Sequence, residues 1–233
     1  MTTTTMMGTT QAMKQLGHDL RIGLATLVAA IGLTMATSGS AYAQSSGSVE
    51  GIKSNEPHNS YVRMNGSTTL PGDVKLGGFS EFYSDGNSYF AKGTMSRNIM
   101  GPVSGITQLI AGTGTPTRAG PGLALGGPVA DGITAKVYAI PAFINAQGKT
   151  VDNLSIAGFG AGASLGSGFS LGGFGEVNLS NPQGASWTYG ELNLTYTVSD
   201  QVSVSANPAL RNAHAGSVIP AVEPRVSVTY TFK

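Results

Sequence analysis

His214, Ser217 and Glu223 bring an imidazole, a hydroxyl and a carboxylate into one short stretch before the last strand of the chain. Held in order, such a set makes a base-activated nucleophile: the carboxylate orients the imidazole, and the imidazole takes the hydroxyl proton. Polar residues this close in a loop also meet by chance, so the chemistry depends on whether the fold aims the side chains at one another. A second set consists of charges: Arg63, Lys75, Glu81, Lys92, Lys136, Glu176, Glu191 and Arg225. They are scattered along the chain, yet each falls on the polar face of an alternating segment. With Lys233 added, six bases would share an interior with three acids. That set is either a buried network of ion pairs or the lining of a narrow, anion-favouring lumen. A narrow barrel is filled by its own side chains, so the network is the expectation.

Other motifs fall away on physical grounds. Gly158 to Ala163 matches G-x-G-x-x-A, but a dinucleotide site needs a helix starting there. The residues that follow, Ser164-Leu165-Gly166-Ser167-Gly168, cannot sustain one, and the stretch reads as a Gly-rich turn between strands. Neither a P-loop nor a G-x-S-x-G elbow occurs. Cysteine is absent, which removes disulfides, thiolate ligands and thiol nucleophiles together. His58 and His214 belong to no ligand-spaced cluster, so neither a metal nor a cofactor is expected.

The elements that carry the charges have the period-2 texture of strands. In the last one, Val226, Val228, Tyr230 and Phe232 share one face, and Arg225, Ser227, Thr229, Thr231 and Lys233 share the other. The segments 61–70, 74–83, 169–180 and 189–198 repeat this, and 88–98, 103–110, 133–142, 151–161 and 201–207 do so more weakly. Pro71-Gly72, Asp85-Gly86-Asn87, Gly101-Pro102, Asn181-Pro182 and Ser199-Asp200 separate them with turn chemistry. The Gly/Pro segment 111–132 reads as a long loop, and it joins 208–223 as a possible surface-binding element. Tyr61, Phe82, Tyr83, Tyr89, Trp187 and Phe232 at strand ends fit interfacial aromatic girdles.

Composition tells what the two faces meet. Charged residues are 11% of 233, less than half the share of an ordinary soluble domain, and the 34 glycines are about twice the usual share. A soluble sandwich would crowd its polar face with Lys, Glu and Asp. Here that face is Ser, Thr, Asn, Gly and Tyr with scattered charges, and the other face is almost charge-free. A charge facing lipid near the midplane costs about 2–4 kcal/mol for Arg or Lys, which is the selection that makes such a pattern. An open sheet edge in lipid would leave backbone groups unpaired, so closure is required.

Residues 1–43 read as a secretory signal peptide: Lys14 and Arg21 are basic, Ile22 to Ala36 is apolar, and Ala41-Tyr42-Ala43 is a cleavage site. A membrane-spanning helix needs about 20 apolar residues. Removing Lys14, Arg21 and Asp19 with that segment leaves 11 bases and 11 acids, a balance that argues against a nucleic-acid partner. Residues 44–59 are polar and without periodicity and read as a disordered lead-in, followed by one domain over 60–233.

Taken with the signal, the alternating strands and the final Arg225–Phe232 strand, the chain resembles the broad class of small bacterial outer-membrane β-barrels. The resemblance implies a closed antiparallel up-and-down transmembrane barrel, here of 8 to 10 strands. It also implies an outer-membrane lipid environment and insertion machinery that reads the C-terminal strand. Its implied function is a non-enzymatic envelope protein, structural or passing small solutes. Lipid A deacylases of that membrane carry His-x-Ser near the C-terminus; this chain has His214-x-x-Ser217, so the pair that would make it a lipid-modifying enzyme is mis-spaced. A secreted all-β surface or fibre protein is the other architecture the pattern allows.

Overall fold

The computed structural model describes residues 45–56, 60–214 and 216–232. The signal-peptide reading over 1–43, His58 and Lys233 lie outside them. Among the described residues every regular element is a strand. In chain order these are β1 (Ser45–Ser54), β2 (Tyr61–Leu70), β3 (Val74–Tyr83), β4 (Tyr89–Met100) and β5 (Val103–Gly112). Then come β6 (Thr115–Ala130), β7 (Ile133–Ile140), β8 (Ile144–Asn145), β9 (Ile156–Gly166) and β10 (Phe169–Asn178). The last are β11 (Ser186–Thr197), β12 (Val202–Ala206), β13 (Ala209–Asn212), β14 (Pro220–Glu223) and β15 (Arg225–Phe232).

All pairings are antiparallel, and β1 pairs with β15, so the sheet closes on itself. Three staves are interrupted. β8 extends β7 by pairing with β6 beyond its end, β12 and β13 are split at Asn207-Pro208, and β14 and β15 at Pro224. The barrel therefore has 12 staves, not 8 to 10. The short turns 71–73, 101–102, 131–132, 167–168 and 198–201 share one end with Ser45 and Phe232, which we term the turn end. The longer connections 141–155, 179–185 and 213–219 lie at the other, the loop end.

Burial is inverted relative to a soluble domain. Arg225 and Ser227 are 3% and 5% exposed, while Val226 and Val228 between and beyond them are 58% and 55% exposed. An exterior that is apolar and an interior that is charged identify a wall built to face lipid. Strand alternation alone sets this, because a slip of one residue would turn every charge outward.

The two missing staves explain the miscount. Residues 45–54, read as a disordered lead-in, form β1. Its residues are small and mixed, so alternation is faint, and the strand is held by backbone pairing on both sides, to β2 and to β15. Segment 111–132, read as a loop, is mostly β6. Its prolines sit where pairing is irregular. Pro116 falls at the β5–β6 register shift, Pro121 in the gap between the β7 and β8 pairings, and Pro128 at the β6–β7 bulge. Proline is tolerated in a sheet at such breaks. Likewise Gly158 to Ala163 is not a turn but the middle of β9.

Candidate functional site: a lumen closed by ion pairs in one half

Two polar clusters cross the interior toward the loop end. In the first, Arg63 on β2 donates from Nε and Nη2 to Glu81 Oε1 on β3, at 3.0 and 2.7 Å. Its Nη1 donates to Glu191 Oε2 on β11 at 3.0 Å and lies 3.5 Å from Glu50 on β1. Strands β2 and β11 are separated around the wall by β1, β15 and β12, so this contact spans the lumen. Arg225 Nε donates to Glu223 Oε1 at 2.9 Å, and its Nη1 donates to the Tyr61 and Tyr189 hydroxyls at 2.7 and 3.1 Å. Tyr189 donates in turn to Glu191, and Arg211 to Glu223. The guanidinium faces lie on rings: Arg63 is 5.0 Å from the Phe79 centroid and Arg225 is 5.1 Å from that of Tyr61. Glu81, Glu191 and Glu223 accept charge-assisted bonds, the condition under which buried ions are tolerated, and Glu50 has the Arg63 ion pair and a bond from Asn207 Nδ2 at 3.4 Å.

The second cluster is a strut. Lys92 on β4 and the Tyr138 hydroxyl on β7 both donate to Glu176 Oε1 on β10, and Gln108 Nε2 on β5 lies 3.4 Å from the same oxygen. Four staves separate β4 from β10 in one direction, so Lys92 and Glu176 meet from nearly opposite walls. Tyr138, Gly158 and Glu176 are paired in one row across β7, β9 and β10. A side chain at Gly158 would overlap the Tyr138 ring, so the glycine is what lets the tyrosine cross its neighbour strand.

An apolar wedge completes the closure. Ile106, Ile110, Ala124, Ile140, Phe143 and Ile156 pack together, and the register partners of the five strand residues put them inside the barrel. Phe143 is fully buried where connection 141–155 turns inward. A Cβ at Gly120 would stand 2.9 Å from the Phe143 ring.

The turn half is different. Its inward positions include Ser67, Thr69, Ser96, Thr134, Thr195 and Thr229. Lys75 and Lys136 face the same space, are exposed, and have no carboxylate partner among the described residues. By contrast, in the loop half five carboxylates (Glu50, Glu81, Glu176, Glu191, Glu223) meet four bases (Arg63, Lys92, Arg211, Arg225), and a fifth base, Arg118, faces inward against the Phe143 ring. Of the six expected inward bases, Lys75 and Lys136 thus lie unpaired in the turn half, and Lys233 lies outside the described residues.

Several expected residues take other roles. His214 and Ser217 are joined by a backbone hydrogen bond, Ser217 N to His214 O at 3.1 Å. The Ser217 hydroxyl donates to Ile219 O at 3.0 Å, and Glu223 is held by Arg225, Arg211 and Ser54. The three do not assemble a base-activated nucleophile, because the carboxylate points into the lumen network and the hydroxyl closes a local turn. Tyr61 and Tyr83 are not girdle residues: they share the inward face with Arg63 and Glu81 and bond to the network. Trp187 is 7% exposed and donates to Leu210 O at 2.7 Å. Phe169, Tyr196 and Tyr230 are the aromatics exposed on the outer wall at the turn end. Glu50, Gln108, Arg118, Tyr138, Tyr189 and Arg211 are residues that alternation finds only once the strands are known, through their inward parity. Phe143 lies in a connection, where no periodicity marks it.

No family model and no curated protein matches the chain. Solved structures do. A structure of NanC porin is 12% identical, covers 79% of this chain and 98% of its own, and superposes with a TM-score of 0.57. KdgM porin is 11% identical, covers 81% and 99%, and gives 0.55; the same porin in complex with disordered oligogalacturonate gives 0.56 at 12% identity. At these identities the likeness is one of fold, and the shared fold is the closed antiparallel barrel of bacterial porins.

Proposed function

We propose that the protein is a bacterial outer-membrane barrel that passes small solutes, with its resistance concentrated in the loop half. The observation that carries this reading is the contrast within one lumen: a hydroxyl-lined half with Lys75 and Lys136 unpaired, continuous with a half crossed by ion pairs. Eight strands enclose a space that side chains fill, whereas 16 to 18 leave an open channel. Twelve staves fall between, which suits a restricted conduit. The porin likeness supports conduction over catalysis. The apolar outer wall and the alternating C-terminal strand support delivery to the outer membrane by barrel-insertion machinery, after removal of residues 1–43.

A planar-bilayer recording of the refolded protein tests the proposal. Small, discrete conductance steps are expected, with a modest preference for anions. Changing both Lys75 and Lys136 to Gln should abolish that preference while leaving thermal stability unchanged. A barrel that inserts but carries no current would overturn the solute-passing reading and leave a structural one.

A further inference from the structure

The outer wall is not uniform. Where β11, β12, β15 and β1 adjoin, it is indented by a groove of about 520 Å3. Two adjacent outward rows form it. One runs Gly51, Val228, Val204, Tyr196 and Phe169; the other, two residues nearer the loop end, runs Lys53, Val226, Ala206 and Leu194. The small side chains, Gly51 and Ala206, lie in the floor, and the rings of Phe169 and Tyr196, 4.8 Å apart, form one bank. Just beyond, towards the loop end, two adjacent staves break at the same level, at Asn207-Pro208 and at Pro224. The indentation is therefore built by side-chain size and by paired breaks in the ladder.

Lys53 stands at the loop-end margin of this groove. It pairs with Val226, whose side chain is exposed on the outer wall, so its ammonium is outside the barrel. Among the described strands Lys53 and Arg97 are the two charges that face outward, and they are at opposite ends of the wall. A cation on a lipid-facing wall is disfavoured at mid-depth, and the cost falls away near the interface, where lipid phosphates lie.

We infer that this groove is a binding site for an anionic, phosphate-bearing lipid, one acyl chain lying against Gly51, Val204 and Ala206 and its phosphate on Lys53. Packing against small residues gives the chain contacts that a convex wall would not. Lys53 supplies the charge complementarity. The inference rests on the membrane reading but not on conduction. A barrel silent in bilayers that still binds lipid through Lys53 would refute the channel and keep this site.

The test uses the refolded, delipidated full-length mature chain in detergent, offered phosphatidylglycerol or phosphatidylcholine with the same acyl chains, and counts retained lipid by native mass spectrometry. Phosphatidylglycerol should be retained preferentially. Lys53→Gln should lower that retention about fivefold, the weight of one surface cation against an anionic lipid, and leave phosphatidylcholine unchanged. Ala206→Trp should remove both lipids by filling the groove; heat-modifiable gel migration checks its folding, and Ala206→Leu replaces it if it fails. Arg97→Gln, at the opposite rim, should change nothing. Retention indifferent to Lys53→Gln, or lowered equally by Arg97→Gln, would mean an unspecific lipid annulus and overturn the site.

Discussion

Glu176→Gln is the perturbation that asks most of the lumen. It removes the carboxylate that Lys92 and Tyr138 share and leaves an ammonium facing an amide across the barrel. Removing one member of a buried ion pair costs about 3–5 kcal/mol, because the other charge stays desolvated. The Lys92 side chain is 13% exposed and that of Glu176 7%, so some water reaches the pair and the lower end, about 3 kcal/mol, is expected. Lys92→Met in the same background should restore most of that loss, since no charge then remains unmatched. Urea unfolding of the detergent-refolded barrel measures the four corners of the cycle, and a coupling of at least about 2 kcal/mol is expected between these contacting residues. Conductance supplies a second readout: the double variant removes a link between near-opposite walls, so its single-channel current should rise. Additive single effects would refute the idea that the strut is one unit. A stable double variant with unchanged current would refute its role as the constriction.

Two further changes test the closure without altering a charge. Gly158→Ala should displace the Tyr138 ring from its path to Glu176 and cost about 1–3 kcal/mol by overpacking, seen as a lowered urea midpoint. Phe143→Ala should destabilise by about 3–5 kcal/mol and raise conductance together, because the same ring fills the wedge and narrows the loop half.

What could be read from the sequence follows the reach of a period-2 pattern. Alternation assigns faces locally, and Arg63, Glu81, Glu176, Glu191 and Arg225 all face inward as their strands demand. Pairing across the lumen is not local. Arg225 is the base one would match to Glu191 from closure of the last strand, and the two do form an ion pair at 3.7 Å. The direct hydrogen bonds to Glu191 come from Arg63, however, while Glu223 takes the Nε of Arg225. Which base meets which acid depends on the number of staves and their stagger, and both were obscured by β1 and β6. β1 hides because its outward face carries Gly47, Gly51 and Lys53 and its inward face carries Ile52 among serines, so neither face reads as consistently apolar or polar. β6 hides because its three prolines read as breaks in the chain, when they are breaks only in the ladder.

The division of the lumen also accounts for where the bases went. In the loop half Arg63, Lys92, Arg211 and Arg225 each hold a carboxylate, which offsets the cost of desolvating them, while Arg118 lies half-buried against the Phe143 ring. Lys75 and Lys136 can stay unmatched only because Ser and Thr around them leave room for water. An excess of bases counted over the whole chain therefore says little about the loop half, where five carboxylates stand against five bases. Any preference for anions arises in the turn half, where fields are screened within about 8–10 Å at physiological salt. It should accordingly be weak and should fade as salt is raised, whereas the size limit imposed by the ion-paired half should not.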